Sequence, residues 1–364
     1  MAVVRPESSG APIFIALLRS CHQHLGGRGD DAQVRGGGSE LFCPGQWLRP
    51  DGDAGHPAPT APARTRVTAA YSNIAATVLP LWTAKETGVF DKHGLDVDLQ
   101  YVASATAVPA VISGQMQMAE VGGSEVLGAI AGGADLVIVA IDTPTYPYVF
   151  EAAPGIQSPA DLKGKAVGIS RIGSSSDIAT RVVLKSFGLD ADKDVNLVQT
   201  GSVSDRAAAM QSGAIQAGVA SPPDTLVVER MGWRPLFDLA SLGLPAVTLG
   251  QVVQRSYRDN NRAVVQAYVD SLIEGIGRVR RDRAGSIEIL RKYLKNDDMQ
   301  DLTVAYDYFA RPELMPSLPY PKPEQFSDTV AILGQKNELL NKLDVAAYLD
   351  TSFVKSAEDR GLAQ

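Results

Sequence analysis

Hydrophobic and polar positions alternate in short, regular blocks along most of this chain. Residues 66–70 form a β-like apolar run. Leu95, Val97, Leu99 and Tyr101 alternate with polar residues, the period of a half-buried strand. Between them, 76–87 carries helical spacing. The pattern then predicts a helix over 107–113, a strand over 117–121, a helix over 124–131 and a fully apolar strand over 136–141. It resumes after Asp161, with strands over 166–169, 195–198 and 217–220. Helices over 177–187, 205–212 and 223–231 separate and follow them, the first closed by Gly188. Such a βαβα rhythm predicts an α/β fold with mostly parallel sheets covered by helices. After about Gly250 the pattern reads as almost wholly helical. Over 262–283, Val265, Tyr268, Val269, Leu272 and Ile276 share one face. Further helices are expected over 286–295, 300–309 and 323–340.

Two α/β units in tandem followed by a helical tail predict two lobes. Two connectors stand between them: 142–147, rich in Thr and Pro, and 242–248, with Gly243 and Pro245. If both are hinges, the second lobe is an insertion in the first. The expected boundaries are 66–145 plus 244–364 for one lobe and 146–243 for the other. In open α/β sheets ligands bind beyond the carboxyl ends of the strands, so facing lobes would share one cleft.

Composition narrows the picture. The 364 residues are 45% hydrophobic and 21% charged, enough for two cored domains. The net charge is -7 and no Lys/Arg cluster stands out, so nucleic-acid binding lacks its electrostatic footprint. No cysteine follows Cys43, and His93 is the one histidine after His56. A His- or Cys-based catalytic or metal centre in the body is therefore not expected. No apolar run approaches the roughly 20 residues of a membrane span. Residues 1–65 read differently. They hold Gly36-Gly37-Gly38 and a Pro/Ala segment over 57–62, without sustained period, and are expected to be a disordered or aberrant leader. The apolar patch 13–18 is short for a signal-peptide core, and the residues around Cys43 do not suit lipid attachment.

Several motifs then point to a family. Residues 80–97, reading PLWTAKETGVFDKHGLDV, are followed by Val121-Gly122-Gly123-Ser124 and by 158–165, SPADLKGK. Next come 168–177, GISRIGSSSD, then Ser212-Gly213-Ala214-Ile215 and Ser221-Pro222-Pro223. In this order the chain resembles the nitrate/taurine/aliphatic-sulfonate-type binding proteins of ABC importers. Those share a domain with thiamine-pyrimidine synthesis proteins. The resemblance runs from 67 to about 357. It implies a two-lobed, type II periplasmic-binding-protein-like fold that closes on a small, anionic organic solute. It further implies export to the periplasm, delivery to an inner-membrane permease, a monomeric state and no cofactor. The rivals are enzymes of the same fold. A thiamine-pyrimidine synthase would imply a Cys-rich iron motif and an active-site His, and a dehydratase or lyase would need a carboxylate pair such as Asp142 and Asp224. A regulator's effector module would need an N-terminal helix-turn-helix that 1–65 does not suggest.

The residues support a ligand site at several turns. Gly173-Ser174-Ser175-Ser176-Asp177 lies between a strand and a helix, where glycine permits close backbone approach and free helical N–H groups attract anions. The same residues would also serve as an ordinary helix cap. Arg171 could add a bidentate anion contact or stand on the surface. Gly122, Gly123 and Ser124 repeat the strand–Gly–helix design in the first lobe, or form a plain tight turn. Ser72 and Asn73 follow the first strand at the cleft position. Ser221 and Asp224 open a helix after a strand, and Asp224 would equally cap it. Thr143 ends a buried strand at the first connector. Tyr146 and Tyr148 could stack on an organic ligand or pack the hinge. Trp82 and Phe90 have core spacing.

Overall fold

A computed structural model describes residues 64–363, so residues 1–63 of the expected leader, with its apolar patch and Cys43, lie outside the described residues, while Thr65, placed in that leader from sequence, already opens the first strand. The first sheet is built from Thr65–Tyr71 (β1), Leu95–Tyr101 (β2), Met118–Val121 (β3), Leu136–Thr145 (β4) and Pro245–Gln254 (β10). The second uses Val149–Ala152 (β5), Ala166–Ile169 (β6), Asn196–Gln199 (β7), Ala217–Ala220 (β8) and Arg234–Asp238 (β9). Strand order is β2-β1-β3-β10-β4 in one and β7-β6-β8-β5-β9 in the other. In sequence, the whole second sheet lies between β4 and β10. Each sheet is mixed: β1 runs parallel to β2 and β3, while β10 is antiparallel to β3 and β4. This is the two-lobed, type II periplasmic-binding-protein-like architecture.

Leu79–Glu86 (α1), Val89–Lys92 (α2), Ser104–Ile112 (α3) and Gly123–Ala131 (α4) accompany the first sheet. Ser175–Ser186 (α5), Val203–Gln211 (α6) and Asp224–Arg230 (α7) accompany the second. The tail contributes Arg255–Asn260 (α8), Arg262–Arg281 (α9), Arg283–Leu294 (α10), Met299–Phe309 (α11) and Ser327–Leu333 (α12), followed by two short helices. The apolar stripe of α9 is fully buried, as its 3.6-residue spacing requires, and packs with Trp82 and Phe90 in one core. Val126, Leu127 and Ile130 of α4 pack in a second core on the opposite side.

The two connectors are built largely of strand. β4 continues to Thr145 and β10 starts at Pro245, so the crossing is an antiparallel ribbon with register shifts along its length. Ladder hydrogen bonds hold Thr143 opposite Leu249 despite the polar sequence. β10 itself stands where the pattern reads as the onset of the helical tail. A third tie also joins the lobes. In α12, Leu333 packs against the cores of both lobes and Ile332 against that of the second. Tyr146 donates to Asp328 at 3.2 Å, and Lys336 pairs with Asp192 at 3.0 Å.

A polar row crosses the interior of the first lobe. Cross-strand register places Glu120 beside both Tyr71 and Gln251. The Gln251 amide donates to Glu120 Oε1 at 3.4 Å and to Asp142 Oδ2 at 3.5 Å. Glu120 Oε2, Asp142 Oδ1, Gln251 Oε1 and the Tyr268 hydroxyl are buried without a partner among the described residues. Burial, and for Glu120 the adjacent Asp142, push the two carboxyls above their usual range, Glu120 furthest.

Candidate ligand-binding cleft

A cavity of about 440 Å³ opens where the carboxyl ends of strands from both sheets face each other. From the first lobe come Ser72 and Asn73 after β1, Tyr101 at the end of β2, and Gly122 and Glu125 at the start of α4. From the second come Ser170 and Arg171 after β6, Ser174–Ser176 at the start of α5, and Ser202 and Arg206 after β7. Tyr148, Thr248 and Leu249 line it from the connectors.

The α5 turn is held by its own side chains. Gly173 adopts φ +80°, which favours glycine, and its N–H donates to Asp177 Oδ2 at 2.8 Å. A Cβ there would meet only Leu333, at 3.9 Å, so the backbone angle and not a close approach requires glycine. Ser174 caps the helix, accepting from the Asp177 N–H while donating to the Arg171 carbonyl at 2.7 Å. Ser176 accepts from the Ser170 N–H at 2.9 Å. Ser175 reaches the Thr248 carbonyl at 3.4 Å. The N–H groups of Ser175 and Ser176 stand in the first turn, where a helix offers no internal acceptor. Both residues line the cavity, and such a helix end suits an anion.

Two guanidinium groups face the cavity in different electrostatic states. Arg171 pairs across the lobes with Glu125 at 3.1 Å, and Ser124 donates to the same carboxylate at 2.8 Å. Arg206 is buried, at 2% exposure. It donates from Nε to the Val219 carbonyl at 2.7 Å and from Nη1 to Ser170 Oγ at 2.8 Å. No carboxylate among the described residues lies within ion-pair distance of it. Burial lowers its pKa from the usual value, while Asp224 and Tyr148 oppose that at longer range. Asp224, at the start of α7, is pushed up to about 6 by burial, with Arg206 pulling the other way.

Of the residues singled out from sequence, Ser72, Asn73, Gly122, Tyr148, Arg171, Ser174, Ser175 and Ser176 share the cavity wall. The others stand off it. Gly123 is packed where a Cβ would strike Val247 at 2.5 Å, and Ser124 is bonded to Glu125. Thr143 is buried in the β4/β10 ribbon. Gly173 shapes the α5 turn, and Ser221 and Asp224 lie outside the lining. Tyr148 is on the wall, whereas Tyr146 is bonded to the α12 strap. Arg206, Glu125, Tyr101 and Ser170 were not anticipated. Thr200-Gly201-Ser202 repeats the strand–Gly–Ser–helix pattern of the α5 turn, and this signal points to the α6 entry. Among the described residues no group of three or more His, Cys, Asp or Glu is arranged to hold a metal ion.

The fold and its cleft define a class of two-lobed α/β proteins with a cavity between the lobes. Residues 75–282 match the family described as NMT1/THI5 like, and the chain belongs to that family. A provisionally named binding protein of Brucella abortus is 32% identical over 117 residues, 32% of this chain. The match spans 35% of that relative's length. The alkanesulfonate-binding protein SsuA from Xanthomonas axonopodis pv. citri, solved with MOPS, is similar at TM-score 0.67 and 22% identity. That likeness covers 80% of this chain and 100% of that one. The desulfurization enzyme DSZB is similar at TM-score 0.58 and 18% identity, covering 82% of this chain and 100% of that one. At such identities these likenesses speak for the fold.

Proposed function

We propose that this protein is the solute-capturing subunit of a bacterial ABC importer. It takes a small organic anion between its lobes and presents it to an inner-membrane permease, working as an exported, periplasmic monomer without catalysis. The observation that carries this reading is Arg206. A buried guanidinium without an ion pair is costly to fold unless a ligand supplies the missing charge. Hydroxyl groups and the free N–H groups of α5 surround the same space and suit an oxyanion. The cavity of about 440 Å³ is roomy for an inorganic oxyanion, given roughly 30 Å³ per water, and suits an organic body. The likeness to SsuA, an alkanesulfonate-binding protein, supports a sulfonate head. The likeness to DSZB keeps an enzyme as the reading to be tested against.

A thermal-shift screen over small sulfonates, carboxylates, pyrimidines and inorganic anions tests the proposal, because a ligand stabilises the folded state by mass action. At least one organic anion should raise the melting temperature and be recovered chemically unchanged. Conversion of that compound into product would establish an enzyme instead. In the Arg206→Met variant, titration calorimetry should show affinity weakened by about 1.5–3 kcal/mol, the usual worth of a hydrogen bond to a charged group. Parent-like affinity would remove Arg206 from the site.

A further inference from the structure

We propose that Glu125 restricts the cleft to ligands bearing a single negative charge, by occupying Arg171 and leaving Arg206 as the cation that the ligand meets. This rests on the anion-capturing reading above.

Two cations face the cavity, and a dianion would ordinarily match them. Glu125 changes that balance. Its carboxylate is nearly enclosed, at 6% side-chain exposure, and holds Arg171 at 3.1 Å from the opposite lobe. Ser124 fixes the other oxygen of the carboxylate at 2.8 Å. The charge of Arg171 is therefore met before any ligand arrives. Arg206 has no such partner, and its bonds to the Val219 carbonyl and Ser170 Oγ are neutral. Asp205 also borders the cavity, but it is exposed and turned onto Ser202 at 2.7 Å, where water screens it. Asp224 acts on Arg206 only at longer range from outside the cavity lining, so a monoanion placed on Arg206 meets a cation that no adjoining carboxylate has claimed. A second negative charge would have to pull Arg171 from Glu125 or stand near that nearly enclosed carboxylate, where like charges repel. Specificity here comes from a built-in repulsive element as well as an attractive one.

The test uses probe pairs that differ by one charge: propanesulfonate against 3-sulfopropanoate, and benzenesulfonate against 4-sulfobenzoate, titrated calorimetrically at pH 7.5. The parent should prefer the monoanion of at least one pair by at least about tenfold. Glu125→Gln frees Arg171 and should erase or invert that preference. The proposal is overturned if the parent binds the dianion as well as the monoanion. It is also overturned if Glu125→Gln, with parent-like circular dichroism, keeps the parent's ratio. If neither member of either pair binds the parent but a neutral compound from the screen does, the anion-capturing reading itself fails, and this inference with it.

Discussion

Valine at position 122 should abolish solute binding while leaving both lobes folded. Gly122 has φ -65° and ψ 142°, an extended conformation that valine adopts readily, so the backbone opposes nothing. The obstacle is space. A Cβ there would stand 2.3 Å from Glu125 Oε2 and 2.6 Å from Ser175 Oγ, both closer than real Cβ contacts. Glu125 is pinned by Ser124 and Arg171, and Ser175 belongs to the opposing lobe. The larger side chain would therefore hold the lobes apart and misplace the Arg171–Glu125 pair. A ligand that draws contacts from both lobes then loses those made only on closure. Affinity should fall by about a hundredfold or more, roughly 2.7 kcal/mol. Alanine should give a smaller loss. Calorimetric titration with the solute found in the screen, combined with small-angle scattering of the solute-saturated protein, checks this. Parent affinity with a parent-like compact profile would show that closure does not need the glycine.

Replacing Glu120 by glutamine should stabilise the protein at pH 8 and have little effect at pH 4. Glu120 and Asp142 lie together in the interior of the first lobe, and the described residues supply no cation to balance them. Burial raises both above their ordinary values, so the folded protein keeps a proton that the unfolded chain has released. The stability linked to that proton is fully present below the unfolded carboxylate range. It is lost as pH rises through the raised folded value. Glu151 in the second lobe adds a loss of the same sign, since burial pushes it up to about 8 and neither of its oxygens has a partner. A glutamine at 120 can donate to Asp142 and still accept from Gln251 without any charge. At pH 8 the gain should be roughly 2–4 kcal/mol, the scale of an uncompensated buried charge. Urea unfolding of parent and variant between pH 4 and 9 measures it. Parallel curves at all pH values would mean that the pair is already neutralised in another way.

Much of the fold is legible in the sequence because it is encoded locally. The apolar stripe of α9, the strand alternation of β2 and the Gly–Ser entry to α5 each depend on neighbours a few residues away. What escapes is set by distant chain. β10 takes its partners β3 and β4 from more than 100 residues upstream, and its row Thr248, Gly250, Gln251 and Gln254 reads as polar. Gln251 is buried only because Glu120 and Asp142 meet it there. The site follows the same division. Ser72, Asn73 and the α5 serines follow strands by a rule visible in one dimension. Arg206 sits in a run of alanines and reads as a solvated helix residue until α6 is packed against β6 and β8. Glu125 looks like an acidic first-turn residue, favourable to the helix dipole, until Arg171 arrives from the other lobe.

The attachment of α12 to both lobes constrains the kinematics of the molecule. Two bodies joined only by a two-stranded ribbon can bend and also swivel about the ribbon's long axis. A helix bridging them to one side, clamped by Leu333, Asp328 and the Lys336–Asp192 pair, resists the swivel and leaves bending as the soft coordinate. Bending must then slide α12 along α5, a shear between packed helices superimposed on a hinge. On the proposed importer reading, bending alone would set the distance between the rims of the two lobes, and a permease touching both rims would read occupancy from that one distance.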